Sequence, residues 1–373
     1  MQKSRFLKIS LIYFISLCLF VGVRVLFQFN FLSNVPNVLQ DIISTVIIQV
    51  IIMVVVPTLF YRLFFKKRQK ETFNDIGFKK ISSKVVLISF LIGLIAFVLN
   101  IFVSSIFNGL IQAFGYTPSS SSSSGESYSF VSFLVNVLCV AILPAFCEEY
   151  MHRGILMRGM FSSISVKHSL IISSICFGLM HLNIVQFFYA TILGCLIGFV
   201  SIVGKSIWPA IIIHFVNNFI NIYLSFAEAN GWLFGSFYDK LNYFLTQNWL
   251  TAIFFVVLLI ILLIALLIRL IVALLANTSF DNFKNLIHNI KKSFGKADRE
   301  NSYVEGELTN HEFIENVQPI VMENLYQPKS TEEVFFQDNY PKEKLRFRDK
   351  IFIIATFFLG AFITISTFIW GLL

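Results

Sequence analysis

Long apolar runs, separated by short polar stretches, make up most of the chain. A membrane-spanning helix needs about 20 apolar residues, and about nine runs approach or exceed that length. They cover approximately residues 6–29, 42–65, 85–110, 130–150, 168–185, 187–204, 208–228, 249–275 and 351–372. The fifth and sixth runs are short and adjoin each other. The pattern therefore predicts an all-α, polytopic membrane helix bundle with about eight or nine transmembrane helices.

Composition agrees with this pattern. The chain has 373 residues, of which 56% are hydrophobic and only 13% charged. This balance excludes an ordinary soluble domain and is typical of an integral membrane protein. The first run is too long for the core of a signal peptide and is followed by no convincing small-residue cleavage site, so we expect it to be retained as a span.

The net charge of +8 is distributed in a way that indicates orientation. If the N-terminus is cytoplasmic, all but two of the 29 Lys and Arg residues fall at inner loops or inner span ends, the exceptions being Arg24 and Lys240. Basic residues concentrate on the cytoplasmic side of membrane proteins. The charge therefore predicts a cytoplasmic N-terminus and does not indicate a nucleic-acid partner.

The polar segments divide the chain into five parts. They are two N-terminal spans with a basic loop (1–80), a membrane core with the candidate chemistry (81–228), an outer loop with a lipid-facing helix (229–275), a cytoplasmic insert (276–349) and a C-terminal span (350–373). The insert is hydrophilic, mixed in charge and without sustained periodicity, so we expect it to be partly disordered. The outer loop before the fourth run contains Ser119 to Ser124 in an unbroken row and is expected to be flexible.

Two adjacent carboxylates lie where the fourth run ends, in the stretch Glu148-Glu149-Tyr150-Met151-His152-Arg153. A charged group at membrane depth costs at least about 2.5–3.5 kcal/mol on insertion scales, so such groups are rarely there by accident. Adjacent helical residues point about 100° apart, so the two glutamates cannot share one role. Glu149 faces Arg153 at the favourable four-residue spacing, which leaves Glu148 as the first candidate for chemistry. A simple ion pair at a helix end would explain the same spacing.

Two more polar clusters lie on separate runs. His181 ends the stretch Phe177-Gly178-Leu179-Met180-His181, deep in the fifth run. His214 and Asn218 are four residues apart in the seventh run and share a helix face. Asn217 points elsewhere on that helix, and we expect it to pack. Interhelical hydrogen bonding is the alternative explanation for each cluster.

These residues lie at loosely similar depths. Glu148 is expected near the inner end of its span, His214 about 10 Å inside, and His181 roughly 15–20 Å inside. They could therefore line one cavity that opens to the cytoplasm. A carboxylate can take a proton from water, imidazoles can orient that water or bind a divalent metal such as zinc, and an amide can donate to a developing oxyanion. Peptide hydrolysis needs these groups.

The three motifs in order, EExxxR, FxxxH and HxxxN, resemble the CAAX-protease and bacteriocin-processing (CPBP, or Abi) family of membrane endopeptidases. This family includes the type II CAAX prenyl endopeptidase. The resemblance covers about residues 130–225 and does not extend to the first two spans, the insert or the last span. Each motif alone is weak, but three in order on separate apolar runs are fairly specific.

The resemblance implies a role for each matching residue. Glu148 corresponds to the catalytic glutamate, and His181 to its partner in water activation. The Glu149–Arg153 pair supports the site, while the seventh-run pair stabilises the oxyanion or, alternatively, binds metal. The implied catalytic residues are Glu148, Glu149, Arg153, His181, His214 and Asn218; the implied ligands of a divalent metal, if one is used, are Glu148, His181 and His214. One departure is His152, which adds a titratable group where the family commonly has an aromatic or apolar residue.

The leading hypothesis is thus an integral-membrane endopeptidase that cuts a peptide or protein substrate near the cytoplasmic interface. A catalytically silent immunity factor or scaffold is the main alternative. A proton-coupled transporter is a third, since intramembrane Glu and His also form proton relays, although we find none of the paired repeats typical of transporters. The sequence determines neither the substrate and its prenylation, nor the choice between zinc and a metal-free mechanism, nor the oligomeric state.

Overall fold

The structure is a computed structural model that describes residues 4–29, 34–117, 128–247, 249–278, 344–370 and 372. The serine tract 119–124 and most of the insert predicted at 276–349 lie outside these residues. The chain divides into two units, Met1–Leu274 with Lys342–Leu373 and Leu275–Pro341. The helices and contacts described below belong to the first unit, apart from the last residues of α10.

The described part of the chain is helical. Its helices are α1 (Arg5–Phe27), α2 (Asn37–Phe65), α3 (Gln69–Ile76), α4 (Ser83–Ala113), α5 (Phe130–Arg158), α6 (Val166–Met180), α7 (Ile184–Val203), α8 (Trp208–Asn230), α9 (Phe237–Gln247), α10 (Trp249–Asn277) and α11 (Phe347–Trp370). Eight of these described helices are long and apolar enough to cross a membrane: α1, α2, α4, α5, α7, α8, α10 and α11. The predicted all-α, multi-pass membrane bundle is confirmed.

Two helices differ from their predicted bounds. The fifth predicted span becomes α6, which has 15 residues and ends at Met180. At 1.5 Å per residue α6 is about 22 Å long, too short to cross a hydrocarbon core of about 30 Å. The fourth span continues past its predicted end at residue 150 to Arg158. Glu148 therefore lies within α5, about 15 Å before its end.

Short polar side chains begin several of these helices. The hydroxyls of Ser82, Ser129 and Ser165 accept hydrogen bonds from backbone N–H groups in the first turns of α4, α5 and α6. The side chain of Asn183 does the same for α7, accepting from Val185 and Gln186. Such N-caps satisfy backbone donors that the helix itself cannot use. The cap at Asn183 lets the chain reverse from α6 to α7 within three residues.

A proline shapes the middle of α5. Pro144 follows a stretch of π-type hydrogen bonding, Val137–Ile142. Since proline has no N–H, it cannot donate to the carbonyl of Val140 four residues earlier. The side-chain amide of Asn218 on α8 donates to that carbonyl instead, at 2.9 Å. The break in α5 thus creates an acceptor that ties α8 to it.

Hydrogen bonds define one end of the bundle, which we call the basic end. Here the N-terminus of α1 meets the end of α5, because Arg5 donates to the carbonyl of Gly159 at 3.0 Å. The backbone N–H of Ile207, just before α8, donates to the carbonyl of Gly77, just after α3, at 3.0 Å. The starts of α1, α4, α6 and α8 and the ends of α2, α5 and α7 therefore lie at this end.

Contacts at the opposite end are equally specific. Tyr116, just after α4, stacks on Phe368 of α11 with ring centroids 5.7 Å apart. Asn230, the last residue of α8, donates to the carbonyl of Tyr128, just before α5, at 3.1 Å. The ends of α4, α8 and α11 and the start of α5 therefore lie together, away from the basic end.

Candidate active site

The two adjacent glutamates face different surroundings, as their helical spacing predicts. Glu149 is fully buried, whereas Glu148 is partly exposed and lines a cavity. A carboxylate that does chemistry must reach water or substrate, and one that holds other residues in place need not. The geometry therefore leaves Glu148 as the candidate for chemistry and places Glu149 among the buried, partnered groups.

Glu149 links two cations or potential cations. Its Oε1 accepts from Nη1 of Arg153 at 3.0 Å and lies 2.8 Å from Nδ1 of His214 on α8. Arg153 is fully buried and also donates to the carbonyl of Gly194 on α7 at 2.8 Å. The ion pair predicted from the sequence is present and joins α5, α7 and α8. The additional link to His214 has no sequence signal, because 65 residues separate it from Glu149.

Phe177, the first residue of the second motif, lies between the charged and titratable groups. The guanidinium of Arg153 lies over its ring, 4.4 Å from the centroid. The imidazoles of His181 and His214 meet the ring edge-to-face, with centroids 5.1 and 5.6 Å away. An aromatic ring that accepts a cation on its face and packs against imidazoles keeps these groups apart and in fixed orientations. Phe177 therefore has a positioning role that the sequence did not indicate.

One cavity of about 520 Å³ brings the reactive candidates together. Glu148, His181, His214 and Asn218 all line it, although they come from two helices, α5 and α8, and from the turn after α6. Nδ1 of His181 lies 2.9 Å from the carbonyl oxygen of Phe177, which can only accept a hydrogen bond. Nδ1 therefore donates, and Nε2 is the ring nitrogen left for water or substrate.

Gln49 of α2 holds the carboxylate of Glu148. Its Nε2 donates to Oε1 of Glu148 at 2.9 Å, and Gln49 itself is buried. This contact was missed, since the first two spans lie outside the motif region. The available signal was a lone amide in the otherwise apolar stretch Val46–Val55, where a polar group needs a partner.

The ring nitrogens of His152 contact groups other than the carboxylate of Glu148. Its Nδ1 lies 2.8 Å from the backbone carbonyl of Glu148, and its Nε2 lies 3.0 Å from the hydroxyl of Tyr13 on α1. The same hydroxyl donates to the carbonyl of Cys176 on α6 at 3.0 Å. Fully buried, His152 connects α5 with α1 and, through Tyr13, with α6. The departure from the family pattern thus has a packing explanation.

Asn217, which we expected only to pack, also lines the cavity. Its Nδ2 donates to Oδ1 of Asn218 at 3.5 Å, while its own buried Oδ1 has no hydrogen-bond partner among the described residues. Opposite, α4 presents Asn100, Ser104 and Asn108 to the same cavity. These α4 residues were also missed, although polar residues every four positions in an apolar run indicate one polar helix face.

A second cavity of about 360 Å³ adjoins the first, because Glu148, His181 and Gln186 line both. It also includes Arg24 of α1 and Thr45 of α2. The carboxylate of Glu148 is thus bordered by a cavity on two sides.

The described residues do not fit a conventional metal site. The predicted ligands Glu148, His181 and His214 share the cavity. Nevertheless, no group of three His, Cys, Asp or Glu side chains in the described ranges is arranged to hold one ion. A zinc site takes three or four such ligands at about 2.0–2.3 Å from the metal. The metal-dependent alternative stays a prediction.

Comparison with known proteins gives one result that bears on this site. Residues 130–220 match the family model of the type II CAAX prenyl endopeptidase, Rce1-like. No curated protein and no solved structure matched the chain. The matched segment contains α5, α6 and α7 and most of α8, and hence every motif that suggested the resemblance. Residues 130–220 of this multi-pass membrane protein are therefore similar to the Rce1-like, type II CAAX prenyl endopeptidase family.

Proposed function

We propose that this protein is a CAAX-type membrane endopeptidase in which Glu148, assisted by His181, activates a water molecule for attack on a peptide bond. The observation that carries the proposal is the division of labour between the two glutamates. Glu148 reaches a polar cavity, whereas Glu149 is buried and occupied by Arg153 and His214. The family match supports membrane peptide hydrolysis as the chemistry.

In the proposed reaction Glu148 acts as the general base. It takes one proton from water while the water oxygen bonds to the carbonyl carbon of the substrate, and the carbonyl oxygen becomes negative. When the tetrahedral intermediate collapses, the C–N bond breaks and Glu148 returns its proton to the leaving amine. Gln49 holds the carboxylate, and Nε2 of His181 can accept a hydrogen bond from the second O–H of the water. One water is consumed per bond cut.

His214 and Asn218 are proposed to stabilise the developing oxyanion. Both line the cavity on one face of α8. Their positions are fixed by groups behind them: Glu149 lies 2.8 Å from Nδ1 of His214, and the Val140 carbonyl accepts from Asn218 at 2.9 Å. Donors held in place before the reaction cost little reorganisation when charge develops, which is why such donors contribute strongly to catalysis.

The test is peptide hydrolysis by purified protein in detergent. The probes are a fluorescence-quenched random peptide mixture, a farnesylated peptide ending in a CAAX sequence, and its unprenylated counterpart. We expect wild-type protein to cleave at least one probe, and Glu148→Gln to lose activity while keeping its thermal stability. Ser105→Ala is the matched control, because Ser105 lines the same cavity but has no proposed role.

Two results would contradict the proposal. Equal cleavage by Glu148→Gln and wild type would show that Glu148 is not the base. Absence of cleavage of every probe by well-folded wild-type protein would favour the alternative, a silent immunity factor or scaffold. Comparison of the farnesylated and unprenylated probes shows whether a prenyl group is recognised.

A further inference from the structure

The cavity around Glu148 extends away from the basic end. On α4 it includes Asn100 and Asn108, about 26 and 38 Å along the helix from its start at the basic end. On α8 it reaches Asn221, about 20 Å from the start of that helix. On α5 it continues from Glu148 back towards the start of the helix, at Val140. Glu148 and His214 thus lie at the end of this cavity nearest the basic end, and the cavity extends from them towards the opposite end.

The turn between α6 and α7 explains why there is space. Because α6 is only about 22 Å long, the chain reverses at residues 181–183 before reaching the opposite end. Non-helical backbone at membrane depth is tolerated where protein buries it or where it lines a water-filled cavity. His181 in this turn and Gln186 just after it both line the cavity. The short hairpin of α6 and α7 therefore leaves space between its turn and the opposite end of the bundle.

The basic end is closed by apolar packing. Gly154 of α5 is so close to Ile76 of α3 that an added Cβ would collide with its side chain. Ile76 and Ile207 are 1% and 0% exposed. Phe78 stacks on Phe146 of α5 with centroids 5.5 Å apart. The segment joining α3 to α4 therefore lies between the site and the outer surface of the basic end.

The second cavity extends in the same direction as the first. Besides Glu148, it is lined by Arg24 close to the end of α1 and by Ser44 and Thr45 near the start of α2. The start of α1 and the end of α2 lie at the basic end, so these residues lie towards the opposite one. Both cavities therefore extend from the carboxylate of Glu148 away from the basic end.

Charge identifies which side of the membrane each end faces. The basic end carries Lys66, Lys67, Lys79, Lys80 and Lys205. Of the connections at the opposite end, residues 28–36, 114–129 and 181–183 contain no Lys or Arg in the sequence, and residues 231–248 contain one, Lys240. Basic residues in short loops favour the cytoplasmic side. The basic end is therefore assigned to the cytoplasm.

We infer that substrates enter the site from the non-cytoplasmic side of the membrane. The substrate class is then a peptide segment exposed on that side, either of an exported peptide or of a membrane-anchored protein, and not a cytosolic prenylated protein. This assignment rests on the proposed endopeptidase function, and it differs from the cytoplasmic opening expected from the sequence. The expected cytoplasmic opening came from depths counted on a fourth span that ended at residue 150. Those depths contain no information on how the basic end is packed.

Cysteine labelling tests the sidedness without requiring activity. The five native cysteines, all free, are replaced, and single cysteines are introduced as Ser105→Cys, Asn108→Cys or, at the basic end, Lys80→Cys. A membrane-impermeant maleimide is added to intact and to permeabilised cells. We expect Ser105→Cys and Asn108→Cys to be labelled in intact cells and Lys80→Cys only after permeabilisation. Labelling of Lys80→Cys in intact cells, or protection of both cavity positions until permeabilisation, would overturn the inference.

A sided activity assay separates this inference from the proposed function. The quenched peptide mixture is added to right-side-out and to inside-out membrane vesicles containing wild type or Glu148→Gln. We expect Glu148-dependent cleavage in right-side-out vesicles and at least tenfold less in inside-out ones. Faster Glu148-dependent cleavage in inside-out vesicles would refute the entry side and leave the endopeptidase standing. Absence of Glu148-dependent cleavage in both vesicle types and in detergent would refute the endopeptidase and, with it, the substrate class.

Discussion

The buried pair of Glu149 and Arg153 allows a quantitative prediction. Arg153→Met removes the guanidinium but keeps a long apolar side chain, and it leaves the carboxylate of Glu149 buried with His214 as its remaining partner. Removal of one member of a buried ion pair typically costs about 3–5 kcal/mol, because the other charge stays uncompensated. The arginine also loses its position over Phe177 and its bond to the Gly194 carbonyl. We therefore expect a loss at the upper end of that range.

The double variant should behave differently from the sum of its parts. Glu149→Gln combined with Arg153→Met removes both charges and keeps an amide oxygen that can accept from His214. Replacement of a buried ion pair by neutral groups of similar volume is often neutral or even stabilising. We expect the double variant to recover at least about 2 kcal/mol relative to Arg153→Met, since an uncompensated charge costs about 3–5 kcal/mol.

Unfolding of the purified protein in mixed detergent micelles, followed for wild type, both single variants and the double variant, gives the coupling free energy. An ordinary hydrogen bond between membrane helices averages about 0.6 kcal/mol and reaches about 1.7. A loss in that lower range for Arg153→Met, or a double variant as unstable as the two single losses added together, would show that the charges are not effectively buried. The reasoning from burial would then be wrong.

The other predictions concern the cavity and its supports. Gln49→Leu should lower turnover about tenfold to a hundredfold, because a hydrogen bond to a charged group contributes about 1.5–3 kcal/mol; unchanged turnover would show that the bond to Glu148 is unimportant for activity. Asn218→Ala should lower kcat about 10²–10³-fold with little change in KM, as for single oxyanion donors, and an effect confined to KM would argue against that role. Gly178→Ala should lose about 1–3 kcal/mol of stability, since its Cβ would collide with α7, whereas Gly109→Ala, with nothing within 4 Å of the added atom, is the control. Dialysis against a zinc chelator should leave turnover unchanged, since the described side chains form no three-ligand site; loss of activity that zinc restores would contradict this.

The apolar runs by themselves determined the membrane class, the all-α architecture and the approximate positions of the spans. Run length against bilayer thickness is a local property, so it can be read without tertiary information. The same holds for Glu149 and Arg153, which face each other because four residues make about one helical turn. It also holds for the opposite orientations of Glu148 and Glu149, since neighbouring positions diverge by about 100°.

Other features depended on how the helices pack. The contact of Glu149 with His214 joins residues 65 positions apart, and that of Gln49 with Glu148 joins residues 99 apart. No periodicity specifies such pairs, because they depend on the rotation and depth of separate helices. His152 illustrates the same limit: its spacing placed it near Glu148, but packing against Tyr13 decides what its ring contacts.

The direction in which the cavity extends was likewise decided by tertiary structure. Hydropathy placed the end of the fourth span at residue 150, whereas the buried continuation to Arg158 puts Glu148 about 15 Å inside the helix end. Hydropathy reads the polar stretch 149–158 as a loop. It remains helical here because partners on other helices satisfy Glu149, His152 and Arg153. The sequence could name the candidate reactive groups. Only the packing of α3 beneath them and the short reversal at residues 181–183 decided which end of the bundle is closed and which leaves room for a substrate.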